Sequence, residues 1–202
     1  MLRFISDLHL GHTNIIKHLD GRAFETIEEM DDYVISQWNS VVKKGDEVVI
    51  LGDFSFYDGK KTNEILRKLH GTKHLIKGNH DNIYLKDPAF DKSLFKSIRE
   101  YGEFSENGRC VVCSHYPILF YNGQYRVDQN GEPKRYMFYG HIHNTQDQTL
   151  LTQLIVAAKA FTYTDKRSGE EKHIPFNLVN CFCMFSDYKP LTINEWLKQQ
   201  GT

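Results

Sequence analysis

The chain has 202 residues, of which 40% are hydrophobic and 13% aromatic, enough to build a full core within one domain spanning 1–202. Its formal net charge is -1, which excludes a global positive field for nucleic acid or an anionic membrane. No apolar run is long enough to span a bilayer, and the opening Met1-Leu2-Arg3-Phe4-Ile5-Ser6-Asp7 lacks the apolar region and cleavage site of a signal peptide, so a cytoplasmic location is expected.

Leu2 to Ser6 reads as a short apolar strand, with Asp7-Leu8-His9 and then Gly11-His12 at its carboxyl end. Thr26 to Val42 reads as a helix. Thr26 and Glu29 form a capping box, and Ile27, Met30, Val34, Trp38 and Val41 make one apolar stripe. Glu47 to Leu51 is a buried strand ending in Gly52-Asp53. Lys60 to Leu69 is a second amphipathic helix, with Gly71 as its C-cap. Lys73 to Lys77 is a strand leading into Gly78-Asn79-His80-Asp81. This alternation of strand and helix predicts a parallel sheet with covering helices.

The pattern then changes. Asn107-Gly108 between apolar arms signals a hairpin, whose second arm ends at Ser114-His115-Tyr116-Pro117. Residues 122–134 read as a long polar loop. Tyr136 to Tyr139 is a strand ending in Gly140-His141-Ile142-His143, and further β structure is expected over Leu151 to Ala157. Thr164 to Lys172 reads as a hairpin tip or flap, Phe176 to Phe185 as a last strand, and Thr192 with Glu195 as the capping box of a short terminal helix. Cys110 and Cys113, in a strand, point to opposite faces. With Cys181 and Cys183 they are expected as reduced core thiols.

Asp7, His9, Asp53, Asn79, His80, His115, His141 and His143 all follow apolar runs. In open α/β sheets, sites form outside the carboxyl ends of strands, so these residues are expected to meet on one edge. Asp7/His9 and His141/His143 are i, i+2 pairs, which in extended backbone point the same way and aim at one cavity. The donor set exceeds the needs of one ion. Two ions sharing a carboxylate are the economical solution, with Asp53 the bridge. Mixed nitrogen and oxygen donors suit manganese, iron, zinc, cobalt or nickel. Two such ions about 3.5–4 Å apart hold a bridging hydroxide and clamp an in-line displacement. The resulting site, formally about +1, attracts an anion such as a phosphate ester.

Asp7-x-His9, Gly52-Asp53, Gly78-Asn79-His80-Asp81, His115 and Gly140-His141-x-His143 occur in the order seen in calcineurin-like metallophosphoesterases, and the chain resembles the small bacterial and phage members of that family. The resemblance implies an α/β fold, a two-sheet sandwich with helices on both outer faces in four α-β-β-α layers. It implies Asp7, His9, Asp53 and His143 around one divalent ion, and Asp53, Asn79, His115 and His141 around the other. It implies that His80 stabilises the transition state or protonates the leaving oxygen, with Asp81 behind it. The expected activity is hydrolysis of phosphate esters, as a phosphatase, a phosphodiesterase or both, on a small phosphorylated substrate. A nuclease and a non-catalytic metal-binding scaffold are the alternatives; high-affinity nucleic-acid binding and membrane contact are not expected. His12, Arg22 and Tyr116 are candidate substrate contacts.

Overall fold

In the computed structural model, which describes residues 1–166 and 168–200, side-chain alternation along the strands sorts the chain into layers. β1 (Leu2–Ile5), β2 (Glu47–Ile50), β3 (Thr72–Ile76) and β4 (Ser97–Arg99) form a four-stranded sheet in that order. All its pairings are parallel. β5 (Tyr101–Glu106), β6 (Arg109–Ser114), β7 (Arg135–Tyr139) and β10 (Leu178–Asn180) form the second, ordered β10-β7-β6-β5. Phe4, Val49 and Ile76 of the first sheet meet Val111, Cys113, Tyr136, Phe138 and Val179 of the second in one core. Their neighbours Ile5, Val48, Ile50 and Leu75 turn outward to α1 (Ile27–Val41) and α2 (Gly59–Lys68), which supply Met30, Val34, Trp38, Ile65 and Leu66. Val112, Met137 and Tyr139 turn out the other way, to Leu151 and Ile155 of α4 (Gln146–Lys159). A short helix, α3 (Asn82–Leu85), follows β3, and β8 (Thr162–Thr164) pairs with β9 (Glu171–His173) as a small hairpin. The layers are helix, sheet, sheet, helix, the α/β sandwich expected. Strands buried on both faces read as continuous apolar runs, which is how β2 reads.

At their C-terminal ends the sheets are stitched together. The Ser6 amide donates to Cys181 O (2.8 Å), and the Cys181 amide to Tyr139 O (2.8 Å). The terminal helix α5 (Ile193–Gln199) plugs the sandwich, with Trp196 fully buried and its Nε1 donating to Phe4 O at 2.9 Å. Its capping box is complete on both sides. That of α1 is half made: Thr26 accepts from the Glu29 amide, but the Glu29 carboxylate accepts from the Glu25 amide instead. The Asn107-Gly108 turn has both φ angles positive, 52° and 78°, as a type I′ hairpin requires.

Three expectations are corrected. Residues 151–157 are helical, not β. Thr145 caps α4 by accepting from the Asp147 amide, and Leu151, Ile155 and Ala158 recur at helical spacing on its buried side. The last strand is short. After Asn180 its own side chain accepts from the Phe182 amide (3.0 Å), ending the ladder, and Cys183–Ser186 form a 3-10 turn. Gly71 is not the C-cap of α2; the helix ends with Leu69 already extended. Gly71, with φ 79°, lies in the following turn, where a Cβ would stand 2.9 Å from Asp46 O. The expected hairpin of 164–172 is present between β8 and β9; residue 167 lies outside the described residues, as do 201 and 202. Cys113, Cys181 and Cys183 are buried and Cys110 half-buried, all free thiols. Among the described residues no helix is long and apolar enough to cross a membrane.

Phe4 is fully buried and meets Phe138 edge-on at 4.9 Å between centroids. Phe4→Ala is expected to lower the unfolding free energy by about 3–5 kcal/mol, read by urea denaturation. A loss under about 1 kcal/mol would show that the inter-sheet core does not rest on this ring.

Candidate metal centre

Every polar motif falls just past the C-terminal end of a strand: Asp7 and His9 after β1, Asp53 after β2, Asn79 and His80 after β3, His115 after β6, His141 and His143 after β7. Because β1 to β3 run parallel, as do β6 and β7, and the sheets adjoin at Ser6–Phe182, these ends converge.

Two clusters result. Asp7, His9 and His143 form one, and Asp53, His115 and His141 the other, with ligand-type atoms in each within 4.8 Å of one another. In the first, His9 Nε2 lies 3.2 Å from His143 Nε2, and His143 Nε2 lies 3.5 Å from Asp7 Oδ1. In the second, His115 Nε2 lies 3.5 Å from Asp53 Oδ2 and 3.0 Å from Asn79 Oδ1. Asp53 Oδ2 is also 3.7 Å from His9 Nε2, so one carboxylate oxygen faces both clusters.

The paired histidines do not act as extended i, i+2 pairs. His141 and His143 belong to different clusters, and the reason is the backbone. Asp7, His9, Asp53, His141 and His143 all have left-handed φ, between 45° and 70°, so alternation does not hold across them. Such conformations are costly for non-glycine residues and concentrate at functional sites. Here the surroundings enforce them. Both Asp7 carboxylate oxygens accept from the His141 amide at 3.1 Å, and Asp53 Oδ1 accepts from the His80 amide at 2.9 Å. Two glycines permit the closeness. A Cβ on Gly78 would strike the Asp53 side chain, and one on Gly52 the His115 ring.

The wall behind the clusters uses residues expected elsewhere. Asp81 does not stand behind His80. It is fully buried and accepts from the amides of Gly78 (2.7 Å), Phe54 (2.8 Å) and Asp53 (3.0 Å) and from the Tyr84 hydroxyl (3.0 Å). It therefore clamps the Asp53 turn to the Asn79 turn. Burial pushes its carboxyl up from the usual range, against the hydrogen bonds from Gly78 and Phe54. Arg22 is not a substrate contact either. It is 2% exposed and donates to Leu8 O (2.7 Å), Asp7 O (2.8 Å) and Asp20 Oδ2 (2.9 Å). The guanidinium is thus occupied with holding the Asp7–His9 turn on one side and Asp20 on the other.

Asp20 is the residue that sequence reasoning missed. Its Oδ1 accepts from His143 Nδ1 at 2.7 Å while Oδ2 takes Arg22. It comes 123 residues before its histidine, after a single π turn (Ile15–Leu19), and no local motif marks it. The available signal was chemical: a metal-binding imidazole needs an acceptor for its other N–H. His115 finds one in Leu51 O, 2.7 Å from its Nδ1.

The charges follow. Burial works to raise Asp7, but the hydrogen bond and charge of His143 hold it below the ordinary carboxylate range. His115 does the same for Asp53. In return, though burial opposes it, bonds to Asp20 and Asp7 raise His143 to about 9, and Asp53 and Asp7 raise His115 to about 9. Burial and then the Arg22 charge depress His9 to about 2. Protonated His143 therefore gives its Nδ1–H to Asp20, while its Nε2 faces both Asp7 Oδ1 (3.5 Å) and neutral His9 (3.2 Å).

The donor set fits a divalent transition ion. Nitrogen and oxygen ligands about 2.0–2.2 Å from a tetrahedral ion stand about 3.3–3.6 Å apart, close to the spacings above, and His143 and His115 are each oriented by a second acceptor. His80 belongs to neither cluster. Its side chain is 45% exposed, with Nε2 4.0 Å from Asp53 Oδ2. Half-buried His12 stacks on Phe56 (3.9 Å, 8°), and Phe56 in turn meets His80 (4.8 Å). Tyr116 is 48% exposed with its ring 4.4 Å from that of His141. These three residues rim the centre.

A family model described as the calcineurin-like phosphoesterase superfamily domain matches residues 1–158, a range that holds both clusters and Asp20. An uncharacterized protein of Methanocaldococcus jannaschii is 46% identical over 94 residues, 46% of this chain and 53% of that protein, so the chain spans about half the length of that relative. The gene 66 protein of Mycobacterium phage L5 is 40% identical over 163 residues, 70% of this chain and 76% of that protein. The crystal structure of a protein of unknown function from Aquifex aeolicus is similar over 98% of both chains, with a TM-score of 0.63 at 25% identity.

Asp20→Asn removes the charge that orients His143. Affinity for Mn²⁺ or Zn²⁺, measured by chelator competition, is expected to fall about 10–100-fold; an unchanged affinity would show that this bond orients nothing. Protons on His143 and His115 must leave before their nitrogens bind an ion. Both groups titrate near 9, so metal affinity is expected to rise with pH up to that value, with about two protons released per chain at pH 7. Calorimetry in buffers of different ionisation enthalpy reads that release, and a heat independent of buffer would contradict it.

Proposed function

The chain belongs to the calcineurin-like phosphoesterase superfamily, and on that premise we propose that it hydrolyses phosphate mono- or diesters with two divalent ions bound side by side. The observation that carries this reading is the position of Asp53, one carboxylate oxygen between two histidine clusters. Asp7, His9 and His143 would hold one ion, and Asn79, His115 and His141 the other, with Asp53 shared. Bound there, the ions supply Lewis-acid charge to the phosphoryl oxygens and lower the pKa of the attacking water. Manganese, iron, zinc, cobalt and nickel suit this donor set.

The protein's own contribution is positioning and one mobile proton. His80, at the rim and outside both clusters, reaches the ester from the open side and gives a proton to the departing alcohol. Its amide, bonded to Asp53 Oδ1, fixes its place relative to the shared carboxylate. Neutral His12 and the Tyr116 ring flank the substrate on opposite sides of the mouth. His12 is kept below its ordinary pKa by burial and by the charges of His80 and Arg22, so it accepts or donates a hydrogen bond without adding charge. The near-zero net charge favours a small phosphorylated substrate over a nucleic acid held by its backbone.

General-acid help of this kind is worth about 10²–10⁴ in rate. His80→Ala is expected to keep both ions and the fold while losing most turnover, with a greater loss for alkyl phosphate esters than for p-nitrophenyl esters, whose leaving group departs without protonation. Metal content and turnover on both ester types are measured in the same variant. Loss of one ion would make His80 a ligand; equal losses on the two esters would leave it an electrostatic role only.

A further inference from the structure

A metal-binding imidazole turns one nitrogen to the ion and gives the N–H of the other to an acceptor, which fixes the ring and its tautomer. His143 Nδ1 has Asp20 for this, and His115 Nδ1 has Leu51 O. His9 needs an acceptor as well. Its Nε2 faces the clusters, 3.2 Å from His143 Nε2 and 3.7 Å from Asp53 Oδ2, so Nδ1 is the nitrogen left over. Among the described residues, the hydrogen-bond partner of that nitrogen is His12 Nδ1 at 3.3 Å. The two ring centres stand 5.4 Å apart with planes 27° from parallel. The nitrogens lie well inside that separation, on the facing edges of the rings. The backbone puts His12 there. Gly11, with φ 80°, turns the chain against Tyr57, whose ring a Cβ would strike, and the His12 amide donates back to His9 O at 3.0 Å. The His12 ring then lies flat on Phe56, 3.9 Å between centres and 8° from parallel. Phe56 is itself pinned, its amide donating to Leu10 O at 2.8 Å. His12 is therefore held by one face and one edge.

We propose that His12 is a positioning residue for the metal centre, a role that rests on the two-ion reading above: its Nδ1 accepts the Nδ1–H of His9, which leaves its Nε2–H for a phosphoryl oxygen of the substrate. A neutral imidazole has one N–H and one lone pair. His9 can bind an ion through Nε2 only with its proton on Nδ1. Its neighbour must then offer a lone pair at Nδ1, which puts the His12 proton on Nε2. The opposite arrangement, with His12 donating, places the His9 proton on Nε2, where it blocks the ion. The tautomer of one ring thus fixes that of the other, and His12 becomes a donor when the first cluster is loaded. Such a donor suits a deprotonated phosphoryl oxygen, which has only lone pairs to offer. The coupling is reciprocal, because a phosphate that takes the Nε2–H favours the same pair of tautomers that an ion requires. Asp20 and Leu51 O, as pure acceptors, orient their histidines without any such link to the substrate.

Long-range ¹H–¹⁵N correlation of the imidazoles and chelator competition for Zn²⁺, both on the full chain, test this without turnover. In the Zn²⁺-loaded chain the expected spectrum has His9 protonated at Nδ1 and His12 at Nε2. His12→Phe keeps a ring on Phe56 and removes the acceptor, and its Zn²⁺ affinity is expected to fall about 10–100-fold. His12→Asn gives up the stack but sets an amide oxygen near the vacated Nδ1, and it is expected to bind Zn²⁺ close to the wild-type level. Circular dichroism checks that both variants are folded, and the wild-type spectrum decides where one of them is not. Unchanged affinity in His12→Phe, equal losses in the two variants, or a loaded chain with the His12 proton on Nδ1 overturns the proposal. A wild-type chain that takes up no Zn²⁺ overturns it together with the metal reading. The expected tautomers and affinities in a chain without phosphoesterase activity uphold the positioning role and overturn only the proposed reaction.

Discussion

Two carboxylates, Asp7 and Asp53, are buried side by side where the sheets adjoin, and much of the surrounding structure answers that fact. An unpaired buried charge costs several kcal/mol, and two of like sign cost more. The molecule meets this with five nearby imidazoles and with backbone amides aimed at the carboxylate oxygens. Two imidazoles, His115 and His143, are driven to hold their protons, while His9 is driven to lose its own. The result is a balanced set in which positive charge is required and replaceable. A divalent ion offers the same charge at the same place, which is why the donor set and its electrostatics point to one chemistry.

The second demand is backbone geometry. Five candidate ligands sit in left-handed conformations, and such strain persists only where neighbours over-determine it. Asp81, Arg22 and Asp20 are those neighbours. Asp81 joins the Asp53 and Asn79 turns by accepting hydrogen bonds from three backbone amides, Arg22 holds the carbonyls of Asp7 and Leu8, and Asp20 fastens His143 to Arg22. Each is a charged group spent on shape. Asp81 looked like a chemical residue because it directly follows His80 in the chain, and Arg22 because a guanidinium suits phosphate. Their burial shows that they act on ligand positions instead of on a substrate.

The rim has a different character. His80, Phe56 and Tyr116 form an accessible edge, where a group can move a proton or meet a substrate without disturbing the buried charges. His12 belongs to both regions, with one ring nitrogen on His9 and its face on Phe56. The centre and the rim are therefore governed by separate physics, electrostatic balance in one and the packing of rings in the other.

Residue order alone determined the donor chemistry, the placing of each donor after a strand, the capped helices α1 and α5, the 107–108 hairpin and the parallel first sheet, while the two-sheet sandwich followed from the family resemblance of the motifs. Donor type, strand periodicity and turn residues are local properties, readable over a few positions. What only the tertiary structure decided is the division of His141 and His143 between two clusters, the pairing of Asp20 with a histidine 123 residues away, the structural work of Asp81 and Arg22, and the helical state of 146–159. Side-chain direction past a strand end depends on the sign of φ, and that sign is set by contacts with distant backbone. A buried charge finds its partner through the fold, not along the chain. In α4 the exposed Leu150, Leu154 and Val156 hide the helical period, because the sequence records that a residue is apolar and not which surface it covers.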